Sequence, residues 1–171
     1  IGKPYHHQRA EIQRGERSMS DESVALQKEH GMNGMLGSPS ERPLVSVVIP
    51  TYKRAYLLKK AIVSALAQEQ AGDLFEMEII VVDDCSPDDT AKVVAEFPEV
   101  QYLRLPENRG ASAARNAGIK RSTGKYVALL DDDDEFLTHK LMVQVPILEA
   151  HLEIGVSYGQ SVVTGGETPL L

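Results

Sequence analysis

The chain has 171 residues, 42% of them hydrophobic, enough for one domain with a sizeable core. Its 25 acidic residues outnumber its 18 basic ones, giving a formal charge of −7. That balance excludes sequence-independent binding to duplex nucleic acid, which needs a basic face. The single cysteine, Cys85, excludes an internal disulfide framework and a cysteine-based zinc site, and points to a reducing, cytoplasmic setting.

No apolar run is long enough to span a bilayer and no secretory signal pattern opens the chain, so any membrane association is expected to be peripheral. A start at Ile1 rather than Met and a polar Gly-Gly-Glu-Thr-Pro segment near the end lead us to expect a fragment of a longer chain. Residues 1–43 are polar and rich in charge, Gly and Ser, and read as an extension. Within it a short helix is expected over 20–30, with Ser20 as N-cap and Gly31 just past its end. His6 and His7 lack a third ligand nearby and read as exposed polar residues.

A regular pattern begins at Leu44 and defines the expected domain, 44–171. LVSVVIP is a short β-branched run stopped by Pro50, the mark of a buried strand. A helix follows over 55–68, with Leu58, Ile62, Ala65 and Leu66 at helical spacing. MEIIVVDD is a second buried strand, and Pro87 with the acids after it opens a helix over 88–97. Next come a strand over 100–105, a helix over 111–121, a strand over 126–130, a helix over 138–151 and a last strand over 155–160. Apolar strands alternating with helices predict an α/β fold, a mostly parallel sheet with helices on both faces. In such sheets ligands bind beyond the carboxyl ends of the strands.

The chemistry-bearing residues fall at those ends. Tyr52 can stack on a flat base, and Thr51 beside it offers a hydroxyl. Asp83 and Asp84 cannot both point outward from one strand, because successive side chains alternate faces. One is expected to hold loop backbone amides, leaving the other for ligand N–H or hydroxyl groups. A pyrimidine ring N–H is a suitable partner for that second carboxylate. Asn108-Arg109-Gly110 precedes a helix, whose start favours negative charge. Arg109 and Arg115 can reach phosphates or pair with the aspartates. Finally, YVALLDDDD ends a buried strand in four carboxylates that repel one another unless solvated or neutralised. If the extended conformation persists there, Asp131 and Asp133 face one way and Asp132 and Asp134 the other. One or two of these acids can hold a hard divalent cation whose other ligands are waters and a diphosphate.

Four segments, VSVVIPTYKR, EIIVVDDCSPDDT, ENRGASAARNAGI and GKYVALLDDDDEF, resemble the family 2 glycosyltransferases in order and approximate spacing, over about 43–159. The resemblance implies the GT-A fold, a Rossmann-like nucleotide-diphospho-sugar transferase architecture, here incomplete at the C-terminus before the acceptor-binding half. It implies a metal-dependent, inverting transfer of a sugar from a nucleotide-diphosphate-sugar donor, most often a UDP-sugar, to a hydroxyl of a glycan or other acceptor, as in cell-surface polysaccharide synthesis. By position Pro50, Thr51 and Tyr52 match the family's base-binding strand end. Asp84 matches the acid that reads the base, and Arg115 lies in an ARN segment near the donor. Asp131 and Asp132 match the part of the D-x-D element near the ribose, and Asp133 the ligand of Mn²⁺ or Mg²⁺.

Lys53 stands where that family often has Asn, and Thr138 where a Pro is common. The family's catalytic base lies later than any residue here, with Glu167 the one acid between Val156 and Leu171. The alternative is a non-catalytic nucleotide-sugar-binding or scaffold module. A receiver domain also carries an acidic pair at a strand end, but no strand-end Lys matches it here. A haloacid-dehalogenase-type phosphatase uses Asp-x-Asp, but wants Gly- and Thr-like residues where Asp134 and Glu135 follow.

Overall fold

Strand β1, Leu44–Thr51, is buried along almost its whole length because both its neighbours and both its faces are covered. In the computed structural model, which describes residues 42–162, it pairs in parallel with β2, Glu76–Asp83, over its full length. On its other side it pairs in parallel with β4, Tyr126–Leu129, and β3, Val100–Arg104, adds to β2. The strand order is β3-β2-β1-β4, so the chain builds outward from β1 to β3 and then returns to the far side of β1. The reversal between β1 and β4 is the topological switch point, where open parallel sheets place their ligand crevice.

The helices are α1, Ala55–Leu66; α2, Thr90–Val94; α3, Ala111–Arg121; and α4, Lys140–Ala150. One sheet face carries Val45, Val47, Ile49, Ile79 and Val81, packed with Leu58, Ile62 and Ala65 of α1, Val94 of α2, and Leu141 and Val145 of α4. The opposite face carries Val48, Ile80 and Val82 beneath Ala114 of α3. Helix α3 approaches so closely that a Cβ on Gly118 would overlap Val48 and lie 3.1 Å from Val82. Helices thus cover both faces, as the apolar strands predict. The edge strands β3 and β4 instead alternate between buried or half-buried and exposed positions.

Three boundaries differ for local reasons. Helix α1 ends at Leu66 rather than 68. The Gln68 side chain is spent on tertiary bonds instead, donating to the Leu137 carbonyl and accepting from the Leu141 N–H, 2.9 and 3.0 Å. Helix α2 is five residues long, because Asp88 accepts from the Thr90 hydroxyl at its start and the Glu96 and Phe97 N–H groups turn back to the Val93 and Val94 carbonyls at its end. The strand expected over 155–160 does not form. Val156 and Tyr158 are exposed and no strand among the described residues pairs with that segment. Two glycines in it and no available ladder partner leave nothing to hold an extended run. The helix expected over 20–30, and Glu167, lie outside the described residues.

One polar group ties the sheet's amino-terminal half together. Glu78 accepts from Ser46 Oγ of β1 at 2.6 Å and Gln101 Nε2 of β3 at 2.8 Å. It also accepts from the N–H and hydroxyl of Thr123 before β4, 2.8 and 2.9 Å. Burial opposes its ionisation, but these donors together outweigh burial and hold the carboxyl below its ordinary value. A depressed folded-state pKa contributes stability that is present above the unfolded-state value and is lost as pH falls through the folded one. The Glu78→Gln variant is therefore expected to melt below the parent at neutral pH, with the gap closing as the solution is acidified below the ordinary glutamate range. A gap independent of pH would show that shape, not charge, matters at this position.

Candidate functional site

Beyond the carboxyl ends of β1, β2 and β4 lies a cleft of about 480 Å³. Its position follows from β1. Pairing with β4 stops at Val48, and Pro50 has no N–H to extend that ladder, so the two strands are unpaired where the cleft begins. Pro50, Thr51 and Tyr52 line it from β1, Asp84 from the end of β2, Arg115 from α3, and Asp131, Asp132 and Asp133 from the end of β4. The eight residues matched to the family's donor and metal positions meet at this one cleft, whereas Asp83, Arg109 and Asp134 do not line it. Asn108, Gly110 and the first turn of α3 complete its wall, so the start of that helix borders the cleft.

Thr51 and Tyr52 differ in what they offer. The Thr51 hydroxyl is buried with no partner among the described residues, while its carbonyl accepts from the Asp84 N–H at 2.9 Å. A buried hydroxyl without a partner is costly and rare. The Tyr52 ring is partly exposed and carries Lys53 Nζ 5.0 Å from its centroid. Lys53 adopts φ 57°, a left-handed turn secured by its N–H donating to Ser86 Oγ at 3.0 Å. That turn carries the chain from β1 into α1.

The adjacent acids of β2 do not divide their labour as the alternation predicts. Asp83 is fully buried away from the cleft, accepting from the Ser86 N–H at 2.7 Å, Tyr102 Oη at 2.5 Å and Arg104 Nη1 at 2.8 Å. Burial, reinforced by the Asp83 carboxylate, pushes the Tyr102 hydroxyl pKa up. Asp84 does face the cleft, yet it too holds loop amides, accepting from the N–H groups of Arg109 and Gly110 at 2.8 and 2.7 Å. These two bonds fix the 108–110 loop, in which Gly110 adopts φ 86° just before α3. Each Asp84 oxygen retains a second lone pair.

The four-aspartate run is a turn rather than an extended segment. The Asp134 N–H donates to the Asp131 carbonyl at 3.1 Å, so the expected alternation of 131/133 against 132/134 does not hold. Turning lets neighbouring carboxylates find separate or shared cations. Asp131 pairs with Arg115 at 2.5 Å. Asp132 and Asp133 converge on a single atom, Arg54 Nη1, with oxygens at 2.9 and 2.8 Å. Arg54 lines the cleft and was not among the sequence candidates, although VSVVIPTYKR places it just past the β1 end. Arg109 does not line the cleft, and its guanidinium lies 3.9 Å from Glu107.

Two carboxylate oxygens aimed at one cationic atom form a donor set that a small divalent cation can use. No group of three or more His, Cys, Asp or Glu among the described residues forms a closed cage. An open pair of carboxylates, with water and phosphate oxygens as further ligands, is the arrangement Mg²⁺-type sites favour. The residues therefore fit a cation that arrives with, or is completed by, a phosphate ligand.

A parallel α/β sheet with an acid-lined, aromatic-edged cleft at its switch point is the architecture of the GT-A glycosyltransferase fold. The chain belongs to glycosyl transferase family 2, whose family model matches residues 46–170. It is 35% identical over 136 residues to a putative teichuronic acid biosynthesis glycosyltransferase, TuaG, of Bacillus subtilis, covering 75% of this chain and 51% of that one. It is 45% identical over 94 residues to the succinoglycan biosynthesis protein ExoO of Rhizobium meliloti, covering 54% of this chain and 26% of that one. The chain thus spans between a quarter and a half of the length of these curated relatives. Among solved structures, S. aureus TarS 1–349 in complex with UDP-GlcNAc superposes with a TM-score of 0.59 at 25% identity, covering 70% of this chain and 38% of that one. The mannosyltransferase PcManGT of Pyrobaculum calidifontis, in complex with GDP-Man and Mn²⁺, gives 0.55 at 26% identity, covering 74% and 38%. Family membership displaces the receiver-domain and phosphatase readings.

Proposed function

We propose that this chain is the donor-binding part of a metal-dependent, inverting glycosyltransferase that takes a UDP-sugar and glycosylates a hydroxyl in cell-surface polysaccharide synthesis. The observation that carries the proposal is the convergence of Asp132 and Asp133 on one cationic point, in the same cleft as Thr51, Tyr52 and Asp84. The ligands of TarS and PcManGT, and the polysaccharides named for ExoO and TuaG, support it.

In this reading Tyr52 stacks on the base, Thr51 hydrogen-bonds its edge, and Asp84 accepts its ring N–H. Asp131 and Asp132 lie toward the ribose, with Arg115 on the donor side, and Asp133 with Asp132 holds Mn²⁺ or Mg²⁺. Bound there, the cation would supply Lewis-acid neutralisation of charge on the diphosphate leaving group. In this reading the cleft acids serve the donor and its cation, and the group that takes the acceptor's proton belongs to the acceptor-binding half. No helix among the described residues is long and apolar enough to cross a membrane. We place the reaction in the cytoplasm, any membrane association being peripheral.

Calorimetry of the 171-residue chain with UDP, GDP and CDP, each with and without Mn²⁺, tests this. Binding of UDP that needs Mn²⁺ is expected, with GDP and CDP weaker. Failure of all three to bind under either condition contradicts the donor-site reading. Binding of UDP without sugar transfer by a chain that includes the acceptor half would favour a non-catalytic binding module.

A further inference from the structure

The cation seat between Asp132 and Asp133 already has an occupant within the chain. Arg54 Nη1 lies 2.9 Å from Asp132 Oδ1 and 2.8 Å from Asp133 Oδ2. The Asp132 side chain is only 5% exposed and needs a cation in contact, whichever ion supplies it. A divalent ion drawing on the same two oxygens would sit about 2.1 Å from each. It could not share them with a guanidinium nitrogen, because the lone pairs are the same and the like charges would be in contact.

We propose that Arg54 is a resident counter-cation of the Asp132–Asp133 pair, displaced by the divalent ion and then turned onto the donor's diphosphate. The proposal rests on the donor-site reading above. Three features make the exchange feasible. The Arg54 backbone is anchored independently of its side chain, its carbonyl accepting from the N–H groups of Leu57 and Leu58 at the start of α1, 2.9 and 3.1 Å. The side chain is 47% exposed, so it can swing without unpacking the core. It also lines the same cleft, where a diphosphate gives the guanidinium a planar, two-pronged anionic partner to replace the carboxylates. Arg115 plays a different part, since it pairs with Asp131 and leaves the converging oxygens alone.

The consequence is a coupling of opposite signs. Arg54 weakens binding of the metal by itself and strengthens binding of metal and diphosphate together, which favours the complete donor complex over either component. The test compares the parent chain with Arg54→Gln, Arg54→Lys and Lys53→Gln. Binding of Mn²⁺ alone is followed by the loss of its free-ion paramagnetic signal, and binding of UDP at saturating Mn²⁺ by calorimetry. Arg54→Gln is expected to bind Mn²⁺ alone roughly three- to tenfold tighter, as befits loss of a partly exposed competing ion pair. The same variant is expected to bind UDP with Mn²⁺ several-fold more weakly. Arg54→Lys should keep most of the competition, and Lys53→Gln, which removes the same charge one residue away, should leave Mn²⁺ affinity nearly unchanged.

Unchanged or weaker Mn²⁺ binding in Arg54→Gln would overturn the exchange while leaving the donor site standing. Equal tightening in Lys53→Gln would overturn it too, by showing that net charge alone is at work. A parent chain that binds neither Mn²⁺ nor UDP would overturn the donor-site reading and this proposal together.

Discussion

With Asp133 replaced by alanine, Mn²⁺-dependent nucleotide binding is expected to fall by more than about a hundredfold, while the melting temperature stays within about 2 °C of the parent. The two halves of this expectation come from different observations. The Asp133 side chain is 46% exposed and its polar partner among the described residues is Arg54, itself half-exposed, so its removal opens no buried cavity and strands no buried partner. The effect on metal is large because the open donor set has few protein ligands to lose. Removing a group that merely orients a ligand already costs about 10- to 100-fold in metal affinity, and Asp133 is proposed as a ligand itself. Asp132→Ala is a poorer probe, because that side chain is nearly buried and its loss would disturb folding as well as binding. Calorimetry with UDP and Mn²⁺, beside a thermal melt, checks both halves. Unchanged Mn²⁺-dependent affinity in a folded Asp133→Ala protein would remove Asp133 from the metal-binding set.

How much of this was legible in the sequence depends on the range of the interaction concerned. The runs LVSVVIP and MEIIVVDD read as strands buried on both faces, and they are the two central strands because only central strands need such runs. Strand alternation with helices gave the parallel order, and the placement of polar clusters at carboxyl ends gave the eight residues that meet at the cleft. The failures are tertiary. Whether GVSYGQ forms a strand depends on a neighbour to pair with, which a local pattern does not contain. Whether Asp131 to Asp134 stay extended depends on how four charges are neutralised, and the answer came from Arg54 and Arg115, side chains 78 and 16 residues away from their partners. Arg54 carries no local signature, since a basic residue after a strand is ordinarily a solvated one. Asp83 and Asp84 could be separated by strand alternation, but not the fact that both serve loop amides. That requires knowing where residues 108–110 return.

Asp84→Ala should reveal whether the second of those acids positions a loop or reads a base. Its carboxylate holds the N–H groups of Arg109 and Gly110 and is itself almost wholly buried, so truncation is expected to destabilise the chain by about 2 kcal/mol. The cost is held down because the 106–110 segment is exposed and water can take up the released amides. Loss of the loop's anchor alone would weaken every nucleotide diphosphate by a similar factor, since Gly110 and the first turn of α3 would shift for all of them. Direct reading of the base predicts something more selective. Uracil presents a ring N–H that a carboxylate accepts, whereas cytosine presents a ring nitrogen lone pair at the same edge, which the carboxylate repels. A site built to hydrogen-bond one partner rejects the mismatched one strongly, because its own buried group is left unpaired. The parent is therefore expected to prefer UDP over CDP, and Asp84→Ala to lose at least about tenfold in UDP affinity while CDP falls far less, so that the preference largely disappears. Measured with Mn²⁺ saturating, equal losses for UDP and CDP would assign Asp84 to the loop alone.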